Sequence, residues 1–244
     1  MNIFIKKWLA RSAAIILILG MTTACAESNQ EAKVKELVET KLGNNAKVDS
    51  VVKTPYLGLY EVRSGNNIIY TDPEVKYLFV GNILDATTHQ SFTKERLDEL
   101  NKVSFSDLPL DLALKRVKGD GSRVIAVFSD PNCGYCKRLE KTLNEVDNIT
   151  IYTFMFNILS KDSDVKARNV WCSANREKAW SDWMLDGKAP AAAPADCAPP
   201  NEKVFELGKK LRITGTPTIF FKDGTRIPGA VDAKGLDEKL ATVK

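Results

Sequence analysis

The chain has little with which to build a metal centre or to hold a polyanion. A single histidine, His89, occurs among 244 residues, and there are only five cysteines. A tetrahedral Cys/His zinc site therefore has few candidate ligands, and no metal is expected. Excess positive charge is nearly missing too. The formal net charge is +4, but Lys6, Lys7 and Arg11 all precede the first acid, Glu27. Without those three the balance falls to +1, so there is no electrostatic reason to expect nucleic acid or an anionic membrane as partner. Long hydrophobic runs are absent as well. The uncharged stretch from Ser12 to Ala26 has 15 residues, short of the roughly 20 that span a bilayer. No internal repeat is visible. With 44% hydrophobic and 27% charged residues, the chain is neither disordered nor a multi-span membrane protein. Its length suits one or two domains.

Residues 1–26 have the pattern of an export signal. Three basic residues precede the apolar run Ala13-Ala14-Ile15-Ile16-Leu17-Ile18-Leu19, and Ala24-Cys25-Ala26 is an A-x-A cleavage site. A retained anchor and lipid attachment at Cys25 are the alternatives, although Thr22 stands where lipoprotein signals usually carry Leu. Cleavage after Ala26 leaves Cys133, Cys136, Cys172 and Cys197, an even number suited to an oxidising compartment outside the cytoplasm.

Val34, Leu37, Val38 and Leu42 have helical spacing, with Gly43 as the stop. Short β-rich runs follow at Val48–Lys53, Leu57–Arg63, Ile68–Thr71 and Tyr77–Val80, and Gly65-Asn66-Asn67 is a hairpin signal. One helix and a small antiparallel sheet over 27–90 bury little core. The bare strand edges of so small a domain call for pairing, so a homodimer is expected. Residues 91–120 are expected to form a helical linker broken at Pro109, with Leu97, Leu100, Leu112, Leu114 and Val117 as its apolar positions. From 121 to 244 strand and helix alternate: strands at Val124–Phe128, Ile149–Phe156 and Thr218–Phe221, and helices from Cys133, over Lys161–Leu185, over Glu202–Leu211 and at the C-terminus. Ala189–Pro200, with six Ala and four Pro, fits no regular element. The pattern is α/β with a mixed sheet.

The chemistry lies in Cys133-Gly134-Tyr135-Cys136. Two cysteines three apart, after a buried strand, fall on the first turn of a helix, where unsatisfied N–H groups and the positive dipole end favour a thiolate. Cys133 is then placed to attack a disulfide and Cys136 to resolve the mixed disulfide. A zinc site would need two more ligands nearby, and haem attachment would need His where Lys137 stands. An inert disulfide between Cys133 and Cys136 is the remaining reading of the pair.

The segment Phe128-Ser129-Asp130-Pro131-Asn132-Cys133-Gly134-Tyr135-Cys136, together with Gly215-Thr216-Pro217-Thr218, resembles the DsbC family of periplasmic thiol:disulfide interchange proteins. The resemblance covers nearly all of the expected mature chain. It implies an α+β N-terminal, cystatin-like dimerisation domain, a helical linker, and an α/β thioredoxin-like C-terminal domain with a helical insertion at about 160–210. It also implies a cis-proline loop at Thr216 and Pro217 that faces the redox pair and docks substrate. The implied partners are misfolded exported proteins with non-native disulfides and a DsbD-like membrane reductant. The implied assembly is a V-shaped homodimer in the periplasm, with no cofactor. Two departures stand out. Val127 occupies the position of thioredoxin's buried Asp, and Gly134-Tyr135 differs from the dipeptides of strong oxidases and of thioredoxin. Cys172 and Cys197, which enclose most of the Ala/Pro-rich stretch, read as a structural disulfide, with a second redox pair as the sharper alternative. Trp171, Trp180 and Trp183 read as core. Two rival functions are a DsbG-like reductase of sulfenylated cysteines, which Gly134 argues against, and a holdase chaperone.

Overall fold

The computed structural model describes residues 28–43 and 47–243. The expected export signal and its cysteine, Cys25, lie outside the described residues. Two compact units divide the chain at Leu97 and Asp98. Among the described residues no helix is long and apolar enough to cross a membrane.

In the first unit a helix over 28–42, α1, buries Val34 and Val38. These pack with Val48, Val51, Tyr60, Val62 and Val75 of an antiparallel sheet. Its strands, β1 (Ser50–Lys53), β2 (Tyr60–Ser64), β3 (Asn67–Thr71) and β4 (Leu78–Phe79), lie in sequence order. Gly65 and Asn66 make the β2–β3 turn, with Ser64 opposite Asn67. Gly65 sits at φ +61°, a backbone region where a side chain is strained. Alternation along β2 sends Tyr60 and Val62 to this core and Glu61 to the other face. There helix α2 (Phe92–Leu100) is attached. Arg96 Nε donates to both oxygens of the buried Glu61 at 3.2 and 3.3 Å, and the Tyr70 and Thr93 hydroxyls share a hydrogen bond of 2.6 Å. β4 pairs with β3 on one side, while Tyr77, Leu78, Phe79 and Val80 are exposed.

The expected linker is shorter than its apolar spacing suggested. After α2 come two 3₁₀ turns, Phe105–Asp107 and Leu110–Leu112, and then a strand, β5 (Leu114–Lys118). Leu112, Leu114 and Val117 therefore do not continue a helix. β5 pairs antiparallel with β7 (Ile149–Met155), Leu114 opposite Thr153. This pairing decides the conformation over a spacing that fits either period. Leu108 is buried, and Leu110 and Leu112 pack with it against the core of the second unit.

That unit is built on a five-stranded sheet in the order β5-β7-β6-β8-β9, where β6 is Arg123–Ser129, β8 is Thr218–Phe221 and β9 is Arg226–Pro228. Only β6 and β7 run parallel. The period of two along β6 divides its side chains between two layers. Ile125 and Val127 face α3 (Gly134–Glu145) and α7 (Ala233–Thr242), through Leu139, Leu143, Leu236 and Leu240. Ala126 and Phe128 face α6 (Asn201–Lys210) through Val204. Phe128 stacks on Phe154 with ring centroids 4.6 Å apart and meets Phe156 and Phe220 edge-on.

The helical stretch expected over Lys161–Leu185 is two helices, α4 (Lys161–Trp171) and α5 (Arg176–Asp186). The break follows from a cap: Asn175 Oδ1 accepts the Lys178 N–H at 2.9 Å and starts a new helix. Cys172 sits at the end of α4 and is disulfide-bonded to Cys197, with Cα atoms 6.1 Å apart. The bridge ties the irregular Ala/Pro-rich segment to α4, as do hydrogen bonds from Arg168 to the Pro194 and Ala195 carbonyls.

Gly208, inside α6, tests how tightly the Phe layer is packed. A Cβ there would come within 2.3 Å of the buried Phe156 ring. Helix propensity favours Ala over Gly by about 1 kcal/mol, but overpacking a filled core costs about 1–3 kcal/mol. Gly208→Ala should therefore lower stability, read as a reduced urea midpoint for the second unit. A raised midpoint would show that the ring has room to move.

Candidate active site

Cys133 and Cys136 are placed by a strand end, a loop and a helix start. β6 ends at Ser129, the loop Asp130-Pro131-Asn132 follows, and Cys133 is the N-cap of α3. Asp130 is fully buried, and both of its carboxylate oxygens are used. Oδ1 accepts the Asn132 N–H and the Ser163 hydroxyl, each at 2.8 Å, and Oδ2 accepts the Leu159 N–H at 3.0 Å. Asn132 donates its side-chain amide to Asp162 Oδ2 at 2.8 Å and to Ser163 Oγ at 3.2 Å. The Pro131 carbonyl accepts the Trp183 indole N–H at 2.6 Å. Three consecutive residues ahead of Cys133 are thus held by α4, α5 and the loop after β7.

Cys133 and Cys136 are both free thiols. The Cys136 N–H donates to Cys133 Sγ at 3.4 Å, which is the N-cap hydrogen bond of α3. Cys133 also directs its thiol to the Thr216 carbonyl at 3.3 Å. Cys133 is 6% exposed and Cys136 1%. The sulfur at the helix end is therefore the more accessible, and it receives the dipole and an N–H together. Cys136 lies deeper. Burial pushes its thiol up to about 12. Hydrogen bonds from the Ser129 and Thr216 side chains and from the Asp130 backbone act the other way without cancelling that effect.

Gly134 leaves open space where a side chain would stand, and Tyr135 is 61% exposed, with the Arg138 guanidinium 5.2 Å from its ring centroid. Across from the pair, the Thr216-Pro217 peptide bond is cis. Its loop is fixed from both sides: Thr218 Oγ1 donates to the Gly215 carbonyl at 2.9 Å, and the Gly229 N–H donates to the Pro217 carbonyl at 2.7 Å. The structure therefore brings Cys133, Cys136, Thr216 and Pro217 together, with Gly134 and Tyr135 on the solvent side. The Cys172–Cys197 bridge lies in the insertion and shares no hydrogen bond with the pair.

Sequence reasoning left Asp130, Asn132, Ser163 and Trp183 without a role at the site. Asp-Pro-Asn is a readable turn, since Asp and Asn side chains bond the backbone two residues on. Its partners lie about 30 residues away and carry no local signal. Trp183, expected as core, bonds Pro131 through its indole N–H, and the Lys137 and Lys166 ammonium groups lie 4.3 and 4.6 Å from its ring centroid.

Comparisons with known proteins agree with this geometry. A family model described as a thioredoxin-like domain matches residues 110–244. A second, described as the disulfide bond isomerase protein N-terminal domain, matches residues 25–94. A probable thiol:disulfide interchange protein DsbC of Bordetella parapertussis is 50% identical over 193 residues, covering 79% of this chain and 68% of the relative. Thiol:disulfide interchange protein DsbC of Escherichia coli is 28% identical over 201 residues, covering 80% and 81%. The crystal structure of a disulfide interchange protein from Neisseria gonorrhoeae superposes with a TM-score of 0.54 at 38% identity, covering 56% of this chain and 98% of that one.

The raised Cys136 thiol has a consequence for stability. In the unfolded chain this thiol ionises near 9, and in the fold only near 12. The folded state therefore keeps a proton that the unfolded state loses in that window. Stability from this group is full below pH 9 and falls above it, by about 1.4 kcal/mol per pH unit. Urea unfolding of the reduced protein from pH 8 to 10.5 should show that extra loss relative to Cys136→Ala. Parallel curves for the two proteins would contradict the burial argument.

Proposed function

This chain belongs to the DsbC family of thiol:disulfide interchange proteins, and on that premise we propose that Cys133 is its nucleophile, Cys136 its resolving thiol, and isomerisation of wrong disulfides its principal task. The Cys133 thiolate attacks one sulfur of a substrate disulfide. A Cys133–substrate bond forms, the substrate bond breaks, and the displaced cysteine leaves as a thiolate. Two exits follow. In the first, a substrate thiolate attacks the mixed disulfide and expels Cys133, so the substrate has exchanged pairings and no net electrons have moved. In the second, Cys136 attacks Cys133, two electrons pass to the substrate as two thiols, and the protein is left with a Cys133–Cys136 disulfide.

The observation that favours the first exit is the burial of Cys136. A thiol held near 12 supplies little thiolate at neutral pH. Resolution is then slow and the mixed disulfide persists, which gives the substrate time to try other pairings. Turnovers that take the second exit must be reset by a dithiol reductant, and a DsbD-like membrane protein is the partner we assign. Thr216 and Pro217 offer backbone beside Cys133 for an extended substrate segment. Cys172–Cys197 acts as a structural bridge.

For assembly, the carrying observation is the edge of the first unit. β4 and the residues that flank it present Tyr77, Leu78, Phe79 and Val80 to solvent, an edge that soluble proteins cover or charge. We assign this edge to a two-fold contact between copies of the chain. The working compartment is the periplasm, reached through cleavage of residues 1–26.

Refolding of a scrambled multi-disulfide protein tests the catalytic assignment. Cys133→Ser should abolish reactivation, whereas Cys136→Ser should accumulate a covalent complex with the substrate and lose the reductive exit. A Cys133→Ser protein that still reactivated the substrate would end the assignment. Light scattering tests the assembly. The mature protein should weigh twice its monomer mass, and Phe79→Asp with Val80→Lys should halve that mass and lower isomerase turnover more than dithiol reactivity. A native monomer with full isomerase turnover would remove the edge from the account.

A further inference from the structure

A buried ion pair in the second unit stands beside the two cysteines and takes no part in the exchange steps. Glu140 is on α3, one turn beyond Cys136, and residues four apart on a helix are neighbours on one face. Its carboxylate is 4% exposed. One oxygen is paired with the Arg116 guanidinium, whose side chain is 11% exposed, and the other accepts the Trp180 indole N–H at 3.3 Å. Trp180 packs in the same cluster as Cys136. Arg116 comes from β5, two residues after Leu114, which belongs to that cluster. Arg116 also reaches Ser181 Oγ at 3.4 Å, but among the described residues its buried Nε–H has no hydrogen-bond partner.

Stability does not explain this pair. Taking two charges out of water costs about as much as their attraction contributes, and apolar side chains of similar volume would fill the place at least as well. The unpartnered Nε–H adds to that cost. What the pair controls is a carboxylate. Cys136 must lose a proton before it attacks Cys133, and Glu140 is the nearest acid on its own helix. Protonating Glu140 would break its bond with Arg116 and leave the guanidinium charge buried without a counterion. No second charge replaces Arg116 there. α5 presents Trp180 to Glu140 and Ser181 to Arg116, while its Lys178 and Asp182 pair with each other at 2.7 Å. On β5, Lys118 is turned to the Leu143 and Asn144 carbonyls, and on α3, Lys137 lies over the Trp183 ring.

We propose that Arg116 is a positioning residue that sets the exit taken by the mixed disulfide: by holding Glu140 in an ion pair, it withholds from Cys136 the carboxylate one turn away that would take its proton. This role rests on the reading of Cys133 as nucleophile and Cys136 as resolving thiol. With Arg116 in place Cys136 keeps its proton, the mixed disulfide lasts, and a substrate thiolate has time to attack it. Without Arg116 the Cys136 proton passes to Glu140 and the new thiolate attacks Cys133 Sγ. The Cys133–substrate bond breaks, and the substrate cysteine leaves as a thiolate. The cysteine pair has then given two electrons to the substrate, so the chain reduces faster and isomerises less.

The test uses the full mature protein, reduced, and a symmetric peptide disulfide. Acid quenching and intact mass count the Cys133–peptide mixed disulfide as it converts to the Cys133–Cys136 disulfide. A positioned general base is worth about 100-fold or more. At pH 7, Arg116→Met should therefore convert at least about tenfold faster than the double variant Arg116→Met with Glu140→Gln. A helix loosened by loss of the pair would speed both alike, so the ratio isolates the carboxylate. The gain should shrink toward pH 9, because a thiol that ionises near 12 yields about tenfold more thiolate per pH unit without help from Glu140. A smaller ratio at pH 7, or a gain that does not shrink, would overturn the role of Arg116. Glu140→Gln alone serves if Arg116→Met does not fold. It should convert at no less than half the native rate, and a slower rate would show that Glu140 takes the proton despite Arg116 and overturn the proposal. A native protein that forms no mixed disulfide, or a Cys136→Ser mixed disulfide that decays at the native rate, would instead overturn the reading of the two cysteines, so the failures are distinct.

Discussion

The active site depends on one buried carboxylate. Asp130 has no access to solvent and would be costly to bury without partners. Two backbone N–H groups and the Ser163 hydroxyl take up both of its oxygens. These bonds fix three things at once: the turn before Cys133, the start of α4, and the loop after β7. Cys133 then becomes the N-cap of α3 because the chain enters the helix from a loop that has little freedom to shift. The insertion of α4 and α5 therefore helps to fix the position of Cys133. Its disulfide between Cys172 and Cys197 holds the far end of the same helix that Asp130 holds at the near end.

The second sulfur owes its behaviour to depth. Cys133 and Cys136 share one helical turn and one cluster with Met155, Ala167, Val170 and Trp180, yet Cys133 is at the helix end with 6% of its surface exposed and Cys136 keeps only 1%. The same three-residue spacing that lets them close a disulfide also divides their environments. In the roles proposed for them, a nucleophile at the helix end and a reluctant resolver beneath it suit a protein that holds substrates covalently while they rearrange. Reversing the depths would favour rapid reduction.

How much of this could be read from the sequence follows from the range of each interaction. Cys133 and Cys136 were legible because helix-end chemistry is local. The small sheet was legible because Tyr60 and Val62 alternate with Glu61, and because Gly65-Asn66 can only be a turn. Thr216-Pro217 was legible through family resemblance, since a proline before a strand does not by itself reveal what it faces. Leu112, Leu114 and Val117 misled, because their spacing suits a helix until β7 supplies a strand partner. The break at Cys172–Asn175 went unseen, as it turns on a single capping side chain. Asp130 was visible as a turn residue only. Its function is set by Leu159 and Ser163, which are distant in sequence and ordinary in composition.

Val127 carries the last step. In the resemblance to thioredoxin-like proteins, a buried acid at this position would serve the deeper cysteine, but Val127 packs instead with Leu139, Leu143 and Ile219. The two buried carboxylates nearest the motif in sequence are both engaged elsewhere. Asp130 holds the loop, and Glu140 is paired with Arg116 and accepts the Trp180 indole N–H at 3.3 Å. What reaches Cys136 is hydroxyl and backbone N–H from Ser129, Thr216 and Asp130. These groups stabilise a thiolate once it forms but are too weakly basic to take its proton. The departure at Val127 and the burial of Cys136 therefore act in the same direction. Both leave the deeper thiol protonated, and under the roles proposed for the pair the lifetime of the mixed disulfide passes to the substrate's own cysteines.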